Sequence, residues 1–91
     1  MRLHAWVGYV DGTPAAIGTA YVAHGVVVFT LGVTRPEHRG RGAWEVLARQ
    51  RLARRPELPA MGLFSDLSRG PAERLGFLPL ARWTVWTWAR P

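Results

Sequence analysis

Apolar residues recur at every second position from Leu3 to Val10, with Leu3, Ala5, Val7 and Tyr9 in one phase, and predict a β-strand. Asp11-Gly12-Thr13-Pro14 has the composition of a turn between antiparallel strands. Ala15 to Ala23 predicts the returning strand, with Ile17 and Tyr21 in phase and small residues at Gly18 and Ala20. His24-Gly25 turns the chain into Val26-Val27-Val28-Phe29, an almost continuous apolar run that points to a strand covered on both faces and continuing to Thr34. From Gly42 the period lengthens. Trp44, Leu47, Ala48 and Leu52 fall at helical spacing as far as about Ala53, and Glu45 stands four residues before Arg49. Pro56 and Pro59 end that helix. Ala60 to Ser65 predicts a short strand, parallel to the third by the crossover rule. Pro71 opens a very short helix through Leu75, Gly76 stops it, and Leu80 to Ala89 predicts a final strand. No linker or internal repeat divides the chain, so residues 1–91 read as one small domain.

Composition narrows this picture. A hydrophobic content of 48% over 91 residues suits a folded domain with a small core. The longest apolar run is far too short to span a bilayer. The absence of cysteine removes disulfides, thiolate nucleophiles and cysteine-ligated metals together, and a cytoplasmic location is expected. The net charge is +6, and all twelve basic residues are arginine. A uniform arginine preference reflects codon bias more readily than a binding site, so only individually placed arginines count. Arg49, Arg51, Arg54 and Arg55 come nearest to a run, and at the end of a helix cations complement the macrodipole without any partner. Nucleic acid is therefore the lesser expectation for a partner, since a diffuse positive field carries no readout.

One stretch carries chemistry. Pro36-Glu37-His38-Arg39-Gly40-Arg41-Gly42-Ala43 lies between the third strand and the long helix, and two glycines alternate with two arginines there. Glycines let the backbone approach a ligand, and the unpaired N–H groups of a first helical turn point at an anion. A strand, a glycine-punctuated basic turn and a helix in that order predict a pyrophosphate site. His38 lies within the turn and fits assistance to anion binding.

Arg39-Gly40-Arg41-Gly42-Ala43 matches the Arg/Gln-x-x-Gly-x-Gly/Ala signature of the GNAT N-acetyltransferase superfamily up to its final position, and Glu73-Arg74-Leu75-Gly76-Phe77 is similar to the helix ending in Gly-Phe found later in that family. The order of elements resembles the family over most of the chain. The resemblance implies an α+β fold, a truncated GNAT-like domain with a mixed, mainly antiparallel sheet of five to six strands and two helices. It further implies acetyl-CoA as co-substrate, its pyrophosphate on the N–H groups of Gly40, Arg41, Gly42, Ala43 and Trp44 beside Arg39. Pantetheine would pair with the backbone of Gly32-Val33-Thr34, an oxyanion would meet an N–H near Val33, and Ser65 would touch the cofactor arm. The implied activity is acetyl transfer to a small amine or peptide amine. The alternative is a non-catalytic acyl-CoA-binding or assembly module.

Three features depart from the family. Trp44 replaces the last small residue of the signature, and its place on the apolar stripe points it toward the sheet. Ala72 stands where many members have a tyrosine that protonates the departing thiolate. By the same resemblance the chain is a short form that starts at the hairpin, without the N-terminal strand and helix pair that cover one sheet face. Candidates for a general base are few: His4 on the first strand, and Asp66 within Ser65-Asp66-Leu67-Ser68, a cluster that turn formation explains equally well. His24 lies at the far end of the third strand. No metal-ligand cluster is visible. Of five tryptophans, Trp6 and Trp83 are expected in the core, while Trp86 and Trp88 share one side of the final strand and predict a homodimer.

Overall fold

The computed structural model describes residues 2–90. Three antiparallel strands open the chain, β1 (His4–Val10), β2 (Thr13–Ala23) and β3 (Val26–Thr34). Asp11-Gly12 and His24-Gly25 make the two hairpin turns, all four residues with positive φ, the backbone twist that two-residue hairpin loops need. A single 3-10 turn at Pro36–His38 leads to α1 (Ala43–Arg54), then β4 (Ala60–Gly62) and α2 (Asp66–Leu75). The sheet order is β1-β2-β3-β4, with β4 parallel to β3 as the crossover rule requires.

Helix α1 lies close on one sheet face because that face is paved with glycine. A Cβ at Gly8 would stand 3.7 Å from Leu47, one at Gly18 3.1 Å from the Arg51 Cζ, and one at Gly32 3.4 Å from the Trp44 Nε1. Around this contact Ala20, Val27, Phe29 and Ala48 form the core, with Trp6, Trp44, Leu52, Phe64, Leu75 and Phe77 packed against them. Cross-strand partners Val7, Ile17 and Val33 lie on the opposite face, where no helix among the described residues covers them, and Val7 and Val33 are exposed.

Among the described residues the sheet has four strands where five to six were expected. The missing element is Leu80 to Ala89, which pairs with no strand. Alternation alone does not make a strand, since its N–H and C=O groups need a neighbouring edge, and the outer edge of the sheet beyond β3 is β4, only three residues long. Trp83 is accordingly exposed and not part of the core, whereas Trp6 packs against the core as expected. The second helix also differs from expectation. It begins at Asp66 and carries Pro71 inside it. Ser65 caps it through its side chain, and Arg69 spans the proline by pairing with Glu73 at 2.9 Å, so the helix survives the loss of one N–H.

The shortness of β4 has a local cause. After Gly62 the Phe64 ring folds back onto Phe29 and Phe77, edge-on to both, with centroids 6.4 and 5.0 Å away. A Cβ at Gly62 would lie 2.9 Å from Phe64 Cζ and 3.1 Å from Phe29 Cβ. Gly62→Ala is therefore expected to displace the Phe64 ring and cost about 1–3 kcal/mol, the usual range for overpacking, read as a fall in Tm.

Candidate functional site

Because β4 pairs with β3 only at Val27, Val28 and Phe29, the C-terminal half of β3 has β2 on one side and, among the described residues, no strand on the other. The bared edge contains Gly32, Val33 and Thr34. An irregularity in the β2–β3 register leaves Thr30 without a partner between Phe29 and Leu31, which bends the strand where the edge opens. The Thr30 and Thr19 hydroxyls are hydrogen-bonded to each other there. Strands β3 and β4 thus diverge around an open hollow of about 220 Å³, lined by Leu31, Gly32, Trp44, Arg51, Phe64 and Ser65 among others.

The edge leads directly to the basic turn. Gly40 and Gly42 have φ of 81° and 78°, values that favour glycine, and open space surrounds the position of a Cβ at each. Gly42 is the N-cap of α1 and offers no side chain to cap it, while the first intrahelical bond runs from Val46 N–H to the Gly42 carbonyl. The N–H groups of Ala43, Trp44 and Glu45 are consequently without intrahelical acceptors. They face the end of the helix that attracts negative charge. Arg39 ends the 3-10 turn, and Arg41 stands 3.8 Å from Asp11 on the β1–β2 turn. His38 Nδ1 is enclosed and has no hydrogen-bond partner among the described residues.

Ser65 lies across the hollow at the N-cap of α2, its Oγ accepting from Ser68 N–H at 3.4 Å. Asp66 follows it, exposed and 3.4 Å from Arg82. His4 is elsewhere. It sits on β1, two strands from the hollow, beside Trp6 with ring centroids 6.2 Å apart. Desolvation first, then Arg54 and Arg2, holds its pKa below the usual imidazole value. Ala72 is 2% exposed, on the packed side of α2.

Arg51 departs from the reading of a solvated helix end. It is 2% exposed, its guanidinium 4.0 Å from the Phe29 ring centroid. Nε donates to the Leu47 carbonyl at 3.3 Å, and Nη1 to the Thr19 and Leu31 carbonyls at 3.2 and 3.1 Å. Burial pushes its pKa down to about 10, which leaves it cationic at neutral pH. Its position could have been found in the sequence: it is seven residues after Trp44 and four after Leu47, on the apolar stripe.

No protein-family model matches the chain, and no curated protein matches it. Solved structures do. A protein of Clostridium acetobutylicum described as a predicted acetyltransferase, crystallised with acetyl-CoA, superposes with a TM-score of 0.73 at 16% identity over 93% of this chain and 64% of that one. A GCN5-related N-acetyltransferase from Ralstonia eutropha gives 0.77 at 17% identity, over 93% and 65%. An acetyltransferase of Trypanosoma brucei gives 0.75 at 17% identity, over 94% and 69%. The chain therefore spans somewhat under two thirds of the first two of these proteins. With strands diverging beside a glycine-rich helix start, and with nearly all of its length superposed on such enzymes, this chain has the GNAT acetyltransferase fold.

Proposed function

We propose that the chain is an acetyl-CoA-dependent N-acetyltransferase that acts on a small amine or peptide amine. The observation that carries this reading is the continuity of the bare β3 edge with the uncapped start of α1. An extended pantetheine can add to the edge as a further strand does, through N–H and C=O groups of Gly32, Val33 and Thr34. Its pyrophosphate then reaches the N–H groups of residues 40–44 at the distance the chain itself sets. Arg39 and Arg41 add positive potential, Trp44 forms a wall, and Ser65 closes the far side. The likeness to a structure holding acetyl-CoA supports the same ligand here.

Within this reading Asp66 is the better placed base, next to the groove-lining Ser65, and His4 the more remote one. Acceleration then comes chiefly from holding amine and thioester together. With the tyrosine position buried as Ala72, water protonates the thiolate and turnover is slow. Asp66→Asn is expected to lower thiol release at least tenfold at fixed pH, within the range for loss of a general base, with CoA affinity unchanged. Measurement against a polyamine and peptide panel checks this. The second reading, an acyl-CoA-binding module without catalysis, draws on one observation: Arg51 is the only ionisable residue that lines the hollow among those described. Binding without thiol release from any amine would select it. The uncovered sheet face and the exposed C-terminal aromatics support a homodimer. A chain without cysteine that consumes acetyl-CoA fits the cytoplasm.

A further inference from the structure

Two N–H donors pack on Gly32 with no acceptor among the described residues. Arg51 Nη2 and Trp44 Nε1 lie 3.5 and 3.4 Å from the point that a Gly32 Cβ would occupy. The carbonyls of Leu47, Thr19 and Leu31 take up Nε and Nη1 and leave Nη2 without an acceptor among the described residues. Neither donor is sealed off, since His38 Nδ1 is the one fully enclosed side-chain polar atom that lacks a partner among those residues. Both residues line the hollow between β3 and β4. The charge is also uncompensated. The five ion pairs among the described residues use Arg41, Arg49, Arg55, Arg69 and Arg82, and none uses Arg51. Burying a cation without a counter-ion costs stability. Packing over the glycines accounts for the aliphatic stem and the two donating nitrogens, not for a charged end turned toward a groove.

We propose that Arg51 Nη2 and Trp44 Nε1 receive a carboxylate at the end of the acyl group, so that the thioester taken is the monothioester of a dicarboxylic acid rather than acetyl-CoA alone. This rests on the acyl-CoA reading and specifies its acyl group. The pair packs on Gly32, on the edge where the thioester end of pantetheine is proposed to lie, and both residues border the open hollow in which an acyl group would end. The indole contributes a neutral donor and the guanidinium a charged one, which makes the bond to a carboxylate charge-assisted. No further group is needed, because the second carboxylate oxygen can remain solvated along the open hollow.

Calorimetric titration of CoA, acetyl-CoA, malonyl-CoA and succinyl-CoA into the whole chain tests this. Malonyl-CoA or succinyl-CoA is expected to bind at least about tenfold more tightly than acetyl-CoA, the ratio expected for a hydrogen bond to a charged group. Arg51→Met should erase that preference and, in the folded variant, leave affinity for acetyl-CoA in place, although the Leu47, Thr19 and Leu31 carbonyls lose their donor and stability falls. Trp44→Phe keeps the ring, removes the donor and should lower the preference without abolishing it, so the test stands even where the Arg51 variant unfolds. Equal wild-type affinity for the acetyl and acidic thioesters overturns this inference and leaves the acyl-CoA reading intact. An equal loss of all four ligands in folded Arg51→Met shows a packing role and also overturns it. Failure of CoA itself to bind removes the acyl-CoA reading and this inference together.

Discussion

Gly42→Val is expected to abolish CoA binding, whereas Arg41→Ala lowers affinity only about threefold, the scale of an exposed ion pair. The difference follows from where the binding groups reside. At φ 78° a β-branched residue is strained by more than the 1–2 kcal/mol or so of the left-handed region, so valine redirects the turn and swings the Ala43 and Trp44 N–H groups off their common target. It also adds a Cβ and two methyls to the open space proposed for a phosphate. The substitution leaves the fold standing, because no other side chain or backbone comes within 4 Å of that Cβ. Arg41 is different. Its side chain is more than half exposed and 3.8 Å from Asp11, so it contributes potential but no fixed contact. Calorimetry on both variants separates backbone recognition from side-chain charge.

The paired change Trp86→Glu with Trp88→Glu is expected to shift the chain from twice its mass to once its mass in light scattering at micromolar concentration, or to leave it unfolded. Leu78, Leu80, Trp83, Val85, Trp86 and Trp88 are all largely exposed, with Trp86 at 89%. Together with Val7, Tyr9, Leu31 and Val33 on the uncovered sheet face they make more apolar surface than a small monomer ordinarily presents. A segment with strand-like alternation and no edge to join finds one on a second copy, and the two-fold arrangement is the commonest solution. Charges at two of the aromatic positions would have to be buried in that interface. A wild-type chain that scatters as a stable monomer contradicts this expectation.

The hairpins, the long helix and the parallel fourth strand were legible in the sequence because each rests on local signals: period-two alternation, paired turn residues, a change of period after Gly42. The basic turn was legible for the same reason, since a helix start and its glycines are contiguous. What was not legible depends on contacts far apart in the chain. The final strand fails for want of a neighbouring edge, which alternation in residues 80–89 does not reveal. β4 stops at Gly62 because Phe64 folds onto Phe29 and Phe77, and only the folded arrangement brings those rings together. Pro71 misled as a helix start because the Ser65 cap lies six residues upstream. Arg51 looked like one more solvated arginine at a helix terminus. The glycine pair Gly18 and Gly32, cross-strand partners, makes the slot that takes it in.

CoA is proposed to lie along the free edge of β3 and on the start of α1. Backbone amide shift mapping, with CoA added to the labelled chain, tests this placement. Saturable shifts are expected at residues 31–34, 40–45 and the neighbourhood of Ser65, with β1 unmoved. Absence of shifts at millimolar CoA, or shifts gathered on β1 and around His4, would contradict it.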